Sequence, residues 1–360
     1  MAYTTIDDAS AYFHTQLYTG NATDSTSITN DANAGDFQPD WLWIKNRADS
    51  GGTGPQFIVD SSRGANKDFH MNNDEAEHTT TNAVKSFDSD GFTIDSGGTV
   101  NDNSDGYISW QWKANGGTTT TNDASATSVG TIDSVYQANT TAGFSIVTHT
   151  GSGSAGNIAH GLGAVPEWIL TKNRSQAASW ANYHVGAGNE YYLELDTSDA
   201  RETASSVWGD TTPSSTTFRV GGANTKNNSS SDNFVSYCFT PIQGYSKFGS
   251  YTGNNNTDGP FVYLGFSPAW IITKRADASD NWRLVDSARN PFNDGSATAS
   301  QSNNSNNETD SGTRDLDLLS NGFKVRTTDP DSNASSGTYI YMAFASHPFV
   351  SSKGVPVTAK

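Results

Sequence analysis

One phrase is written three times in this chain: FQPDWLWIKNR at 37–47, AVPEWILTKNR at 164–174 and FSPAWIITKR at 266–275. No other sequence feature constrains the fold as tightly, because any architecture must give the phrase three comparable places. Further landmarks keep the same order around it. Each unit opens with an aromatic or His, then Thr and Gly: Tyr18-Thr19-Gly20, His149-Thr150-Gly151 and Tyr251-Thr252-Gly253. Later come Gly91-Phe92-Thr93-Ile94, Thr217-Phe218-Arg219-Val220 and Gly322-Phe323-Lys324-Val325, and the units close on YISWQWKA (107–114), FVSYCFTP (234–241) and YIYMAFAS (339–346). The phase holds. Pro39 and Pro166 lie 127 positions apart, as do Tyr107 and Phe234, and Pro166 to Pro268 is 102 against 105 from Phe234 to Tyr339.

A unit of roughly 100 residues has the size of a domain that fills its own core. Inside each unit, short β-rich runs alternate with turn clusters such as DSDG (88–91), NDNSDG (101–106), NTKNNSSSDN (224–233) and DPDSNASSG (329–337). That pattern is typical of hairpin-connected strands in sandwiches and jelly rolls. No stretch has helical periodicity. The expectation is an all-β chain of three tandem β-sandwich, jelly-roll-like domains of one repeated type. Repeat 1 covers 1–114, a polar linker 115–141, repeat 2 142–243, repeat 3 244–350 and a C-terminal tail 351–360. Within the phrase, Pro sets the entry to a strand apolar on both faces, hence covered on both, with Lys45, Asn46 and Arg47 at its wet end.

The formal net charge of −17 removes the counterion-release term that drives nucleic-acid binding and disfavours anionic membranes. The expected partners therefore include no nucleic acid and no membrane. A single cysteine, Cys238, excludes an internal disulfide framework. The opening MAYTTIDDASAYF has neither a basic nor an apolar signal region, which points to synthesis in a cytoplasm without Sec export.

The repeats also act as a control: a residue serving the fold should recur by type, whereas a residue of a unique site need not. Cys238 aligns with Gln111 and Ala343 and reads as a small strand residue. His149 stands where the other units have Tyr18 and Tyr251, which indicates packing. His184 aligns with Asp60 and Asp286, where units 1 and 3 carry Asp60-Ser61-Ser62-Arg63 and Asp286-Ser287-Ala288-Arg289; a surface ion pair closing a turn is expected there, worth little. The histidines show no metal-ligand spacing such as HxxxH. Residues 101–106 resemble half a calcium loop, but Trp112 stands where its bidentate Glu belongs. The reading there is a solvated turn, with a weak Ca2+ site as the alternative; otherwise no cofactor is expected. No carboxylate pair or nucleophile–base set is distinguished, so no catalytic residue is assigned and the chain is read as non-enzymatic. The aromatics read mainly as core, and those with a potential for ligand contact are Trp180, Trp208 and Trp282.

Taken together, YTGN, FQPDWLWIKNR, SFDSDGFTI, HGLGAVPEWILTKNR, GYSKFGSYTGN, DGPFVYLGF, LLSNGFKVR and TYIYMAFASHPF resemble a family of marine bacteriophage virion structural proteins of the cyanophage and pelagiphage type. The resemblance spans nearly the whole chain. It implies a β-rich structural protein of the phage virion, assembled in the host cytoplasm with other phage virion proteins. The expected role is a tail-fibre or spike appendage, a homo-oligomer mediating adhesion to host surface polysaccharide; the alternative is a capsid decoration or cement protein. No functional residue carries over from the family.

Overall fold

A computed structural model describes residues 3–31, 35–47, 54–293, 297–311 and 316–356. It is 41 % strand and 4 % helix, in antiparallel sheets of which none is closed, as an all-β chain requires.

Unit 1 builds a six-stranded sheet in the order Phe13–Thr19, Gly106–Trp112, Trp41–Asn46, Gln56–Asp60, Lys67–His70 and His78–Thr79. Unit 3 repeats it with Ser246–Thr252, Thr338–Pro348, Phe266–Arg275, Arg283–Asp286, Ala297–Gln301 and Thr309–Ser311. Unit 2 follows the same order from Phe144–Thr150 through Asn233–Phe239, Trp168–Asn173, Ala181–His184 and Tyr191–Glu194 to Glu202–Thr203. It extends the free edge with Ser134–Asn139 and Thr120–Asn122, so the segment read as a linker supplies two strands of the sheet. Those strands are polar because they lie at the edge, where little apolar burial is available. Each unit adds a small sheet: Thr26–Ile28, Phe92–Ile94 and Val84–Phe87; Gly156–Ala159 and Thr217–Val220; Phe261–Tyr263, Gly322–Val325 and Leu316–Leu319.

The phrase strand explains itself by alternation, since successive residues face opposite sides of a sheet. Leu42 and Ile44 join Ile28, Phe92 and Ile94 in a core between the two sheets of unit 1. Trp41 and Trp43 point the other way, into a core that holds residues of all three units. Unit 2 divides likewise, with Ile169 and Cys238 inside its own core and Trp168, Leu170, Tyr237 and Phe239 in the common one. In the common core Trp41 stacks on Tyr237 at 4.7 Å, Trp168 lies 6.4 Å from Trp270, and Trp112 meets Trp270 edge-on at 5.5 Å. Units 1 and 2 therefore keep cores of their own, but the units do not close as separately as their length suggested, because eight of the nine tryptophans are pooled in the common core.

The wet end expected after the tryptophans is dry at Lys45 and Asn46 and only half-buried at Arg47. Lys45, Lys172 and Lys274 are buried, and their ammonium groups donate to the carbonyls of Gly54, Ala178 and Ala278 respectively. Burial pulls Lys172 and Lys274 down to about 8. Beyond the last strand, the Ser352 amide donates to Asp7 at 2.6 Å; residues 357–360 of the expected tail lie outside the described residues.

Candidate functional site

Three equivalent positions open the way to the unit boundaries. Asp60, His184 and Asp286 each sit opposite the phrase tryptophan, paired with Trp41, Trp168 and Trp270. Asp60 accepts a hydrogen bond from the Tyr237 hydroxyl of unit 2 at 2.7 Å. Asp286 accepts one from Trp110 Nε1 of unit 1 at 3.3 Å. His184 Nδ1 accepts from the Gly186 amide, so Nε2 carries the proton and donates to the Tyr341 carbonyl of unit 3 at 3.0 Å. Unit 1 thus reaches unit 2, unit 2 reaches unit 3, and unit 3 reaches unit 1. The contacts close a ring with pseudo-threefold symmetry.

The Asp-Arg pairs are not surface pairs. Asp60 with Arg63 and Asp286 with Arg289 are wholly buried. Burial alone would lower the Arg63 pKa, but Asp60, Tyr237 and Glu77 outweigh it and hold the guanidinium above its ordinary pKa. Two of the three arginines that end the phrase also cross a boundary: Arg174 of unit 2 bonds Glu77 of unit 1 at 2.8 Å, and Arg47 of unit 1 bonds Glu308 of unit 3 at 2.6 Å, whereas Arg275 pairs with Asp277 and Asp280 of its own unit. At the third boundary the Arg201 amide donates to the Ala276 carbonyl.

Trp180 and Trp282 belong to the same system. They align with Gln56, and each of the three side chains donates to a carbonyl of a neighbouring unit: Trp180 Nε1 to His70 at 3.3 Å, Trp282 Nε1 to Glu194 at 2.9 Å and Gln56 Nε2 to Gln301 at 2.9 Å. Trp208 lies in the core of unit 2 against Tyr183. All three tryptophans are at most 1 % exposed, so none offers a face to a ligand. The large surface aromatics are instead Phe261, Tyr263 and Phe292, at 48 %, 47 % and 78 % exposure. The first two alternate along an edge strand of unit 3 and were hidden in sequence among residues that looked structural.

His149 packs as expected. It stacks on Phe234 at 5.0 Å and donates Nε2–H to the Asn227 carbonyl, as Tyr18 stacks on Tyr107 and bonds Val100 and Tyr251 stacks on Tyr339 and bonds Ser332. The next residue in each case is a buried asparagine: Asn101, Asn228 and Asn333. Their side-chain oxygens accept from the backbone amides of Asn21, Ser152 and Asn254, while their amides donate to loop carbonyls such as Asp95, Gly221 and Thr327. The loop read as half a calcium site thus commits Asn101 to its own backbone, and Asp105 accepts from Asn46. This clamp also fixes the repeated glycine, since a Cβ at Gly20, Gly151 or Gly253 would collide with the carbonyl oxygen of Asp102, Ser229 or Ala334. Sequence reading missed the asparagine although it keeps phase: each stands six residues before Tyr107, Phe234 or Tyr339.

The candidate site that does not recur lies in unit 1. An open polar cleft of about 510 Å3 is lined by Asn46, His70, Asn72, Asn73, Thr99 and Asp102. Beside it, on the Lys67–His70 and His78–Thr79 hairpin, stand Asp68, His70 and His78, with one ligand-capable atom of each within 4.8 Å of the others. Strand geometry brings them together: Asp68 and His70 share a face, and His78 is the cross-strand partner of Asp68.

No curated protein and no solved structure matches the chain. Its residues 8–348, covering all three units of the ring, match the family described as Domain of unknown function (DUF7483), and the chain belongs to that family.

Proposed function

We propose that this chain is a non-enzymatic structural protein of a phage particle, a tail-fibre or spike appendage that presents its loops to host surface polysaccharide. The observation that carries the reading is the closed ring. Three sheets pool their tryptophans into one core and lock to one another through buried polar contacts, which is how a rigid, passive body is made without disulfides. In the same reading each unit is a jelly-roll-like sandwich, and the particle's other virion proteins are its partners. A pseudo-threefold body also suits a threefold position on a shell, which favours capsid decoration as the second reading.

Localisation of the chain by cryo-electron microscopy in purified particles separates the two: density on the tail supports the appendage, density tiling the shell supports decoration, and absence from the particle sinks both. Adhesion has its own test. The purified chain should bind host polysaccharide, and Phe261→Ala, Tyr263→Ala and Phe292→Ala should weaken binding through loss of stacking faces. No binding to any host polysaccharide would remove adhesion, and release of reducing sugars would overturn the non-enzymatic reading.

A further inference from the structure

The Asp68–His70–His78 cluster departs from the repeat logic that explains nearly everything around it. Its backbone is ordinary: the His70 carbonyl receives Trp180 just as Glu194 receives Trp282 and Gln301 receives Gln56. Its side chains are peculiar to unit 1. By strand pairing, Asp68, His70 and His78 correspond to Tyr192, Glu194 and Glu202 in unit 2 and to Ala299, Gln301 and Thr309 in unit 3. Unit 2 satisfies its set internally, the Tyr192 hydroxyl donating to Glu202 at 2.8 Å. Unit 1 does not. Asp68 is 1 % exposed, and neither of its carboxylate oxygens has a hydrogen-bond partner. A buried carboxylate left without partners is costly unless something charged meets it.

We propose that Asp68, His70 and His78 bind a divalent transition metal of the Zn2+ class. Asp68 Oδ2 lies 3.8 Å from His70 Nε2 and 3.5 Å from His78 Nδ1. Ligand atoms about 2.0–2.1 Å from a tetrahedral ion stand about 3.3 Å apart, so small side-chain shifts close the site. Two imidazoles and a carboxylate suit Zn2+, Co2+ or Ni2+ over the hard, oxygen-seeking Ca2+ and Mg2+. On the far side of the rings Glu75 Oε2 is 3.7 Å from His70 Nδ1 and 3.6 Å from His78 Nε2, and Asn73 Nδ2, itself 3.5 Å from His70 Nδ1, donates to that carboxylate at 2.6 Å. This is the outer carboxylate that fixes the tautomer of metal-bound histidines. Three protein ligands leave a fourth position open beside the polar cleft.

The loop between the two strands gives the metal something to hold. It carries the Asp74 carbonyl, which accepts from the Ala178 amide, and Glu77, which pairs with Arg174, so it is one of the parts of unit 1 that dock on unit 2. A metal tying the hairpin together pre-orders that docking loop.

The test is isothermal calorimetry with ZnCl2 on the full chain after chelator treatment, with Co2+ absorption as a second readout. One site per chain is expected, along with visible Co2+ bands and a higher unfolding midpoint in Zn2+ than in EDTA. His78→Gln, at a half-exposed position, should keep the EDTA midpoint and lose both the binding and the Zn2+-dependent gain. Glu75→Gln should weaken binding by about tenfold or more. Equal binding by wild type and His78→Gln, no saturable Zn2+ binding, or equal occupancy by Ca2+ would each overturn the proposal.

Discussion

Tyr237 donates its hydroxyl to Asp60 across the boundary between two units, and the same hydroxyl lies 3.4 Å from Arg63. The three groups are buried together, with the guanidinium 4.2 Å over the ring of Phe69. Tyr237→Phe should remove one bond to a charged acceptor and cost about 1.5–3 kcal/mol. Asp60→Ala leaves the buried Arg63 with Glu77 as its remaining counter-charge and should cost about 3–5 kcal/mol. Urea unfolding of both variants checks the order; equal costs would mean that Asp60 is not the charge that holds Arg63.

Pooling the tryptophans has a thermodynamic signature. With Trp41, Trp168 and Trp270 in one core, no unit can unfold without exposing its neighbours, so the whole ring should melt in one transition. Calorimetry should give a van't Hoff enthalpy close to the calorimetric one for the full chain. Three resolved transitions would show that the units are energetically separate.

The buried asparagines should be among the least replaceable residues. Asn333 accepts from the Asn254 amide and donates to the Thr327 and Asn256 carbonyls. Asn333→Ala removes these three bonds, at about 1–3 kcal/mol apiece. The matching Asn101→Ala and Asn228→Ala should behave alike, whereas exposed Thr257, which lies in the same loop as Asn254, should tolerate Ala within about 0.5 kcal/mol. Chemical denaturation midpoints decide it.

Acid should loosen the ring. His149, His160 and His184 are held at about 4 by burial, against an ordinary value of 6.5. Their folded pKa lies below the unfolded one, so the unfolded chain binds more protons between these values, and stability falls as pH drops from 6.5 toward 4. Each contributes up to about 3 kcal/mol across that window. Glu167, Glu194 and Asp196, raised by burial, act in the opposite sense over their own titration range. His149→Tyr, which copies Tyr18 and Tyr251, should fold normally and show a smaller loss of melting temperature between pH 7 and pH 5. An unchanged loss would remove His149 from the account.

Legibility in the sequence followed what alternation and repetition can encode. The phrase strands were readable because Trp41-Leu42-Trp43-Ile44 is apolar at every position, and that demands two covers. What provides the second cover was not readable, since another unit and another layer of the same unit impose the same pattern. Trp180 and Trp282 stood out only as aromatics with a potential for ligand contact, and nothing local shows that they and Gln56 donate across a boundary. The Asp68 cluster escaped a search for HxxxH because that spacing belongs to a helix; on a hairpin the informative spacing is i, i+2 plus a residue across the turn. Asn101, Asn228 and Asn333 could have been found by phase alone, had the turn clusters been aligned as strictly as the strands.

Because each boundary uses different chemistry, the three copies are not interchangeable. A homotrimer built from unit 1 alone would set Asp60 against Trp110, an indole that already serves a carboxylate at the boundary with unit 3. One built from unit 3 would set Asp286 against Met342, whose thioether has no proton to give. A threefold assembly of a unit like the first copy would thus keep a buried donor at each boundary, and one of a unit like the last copy would not.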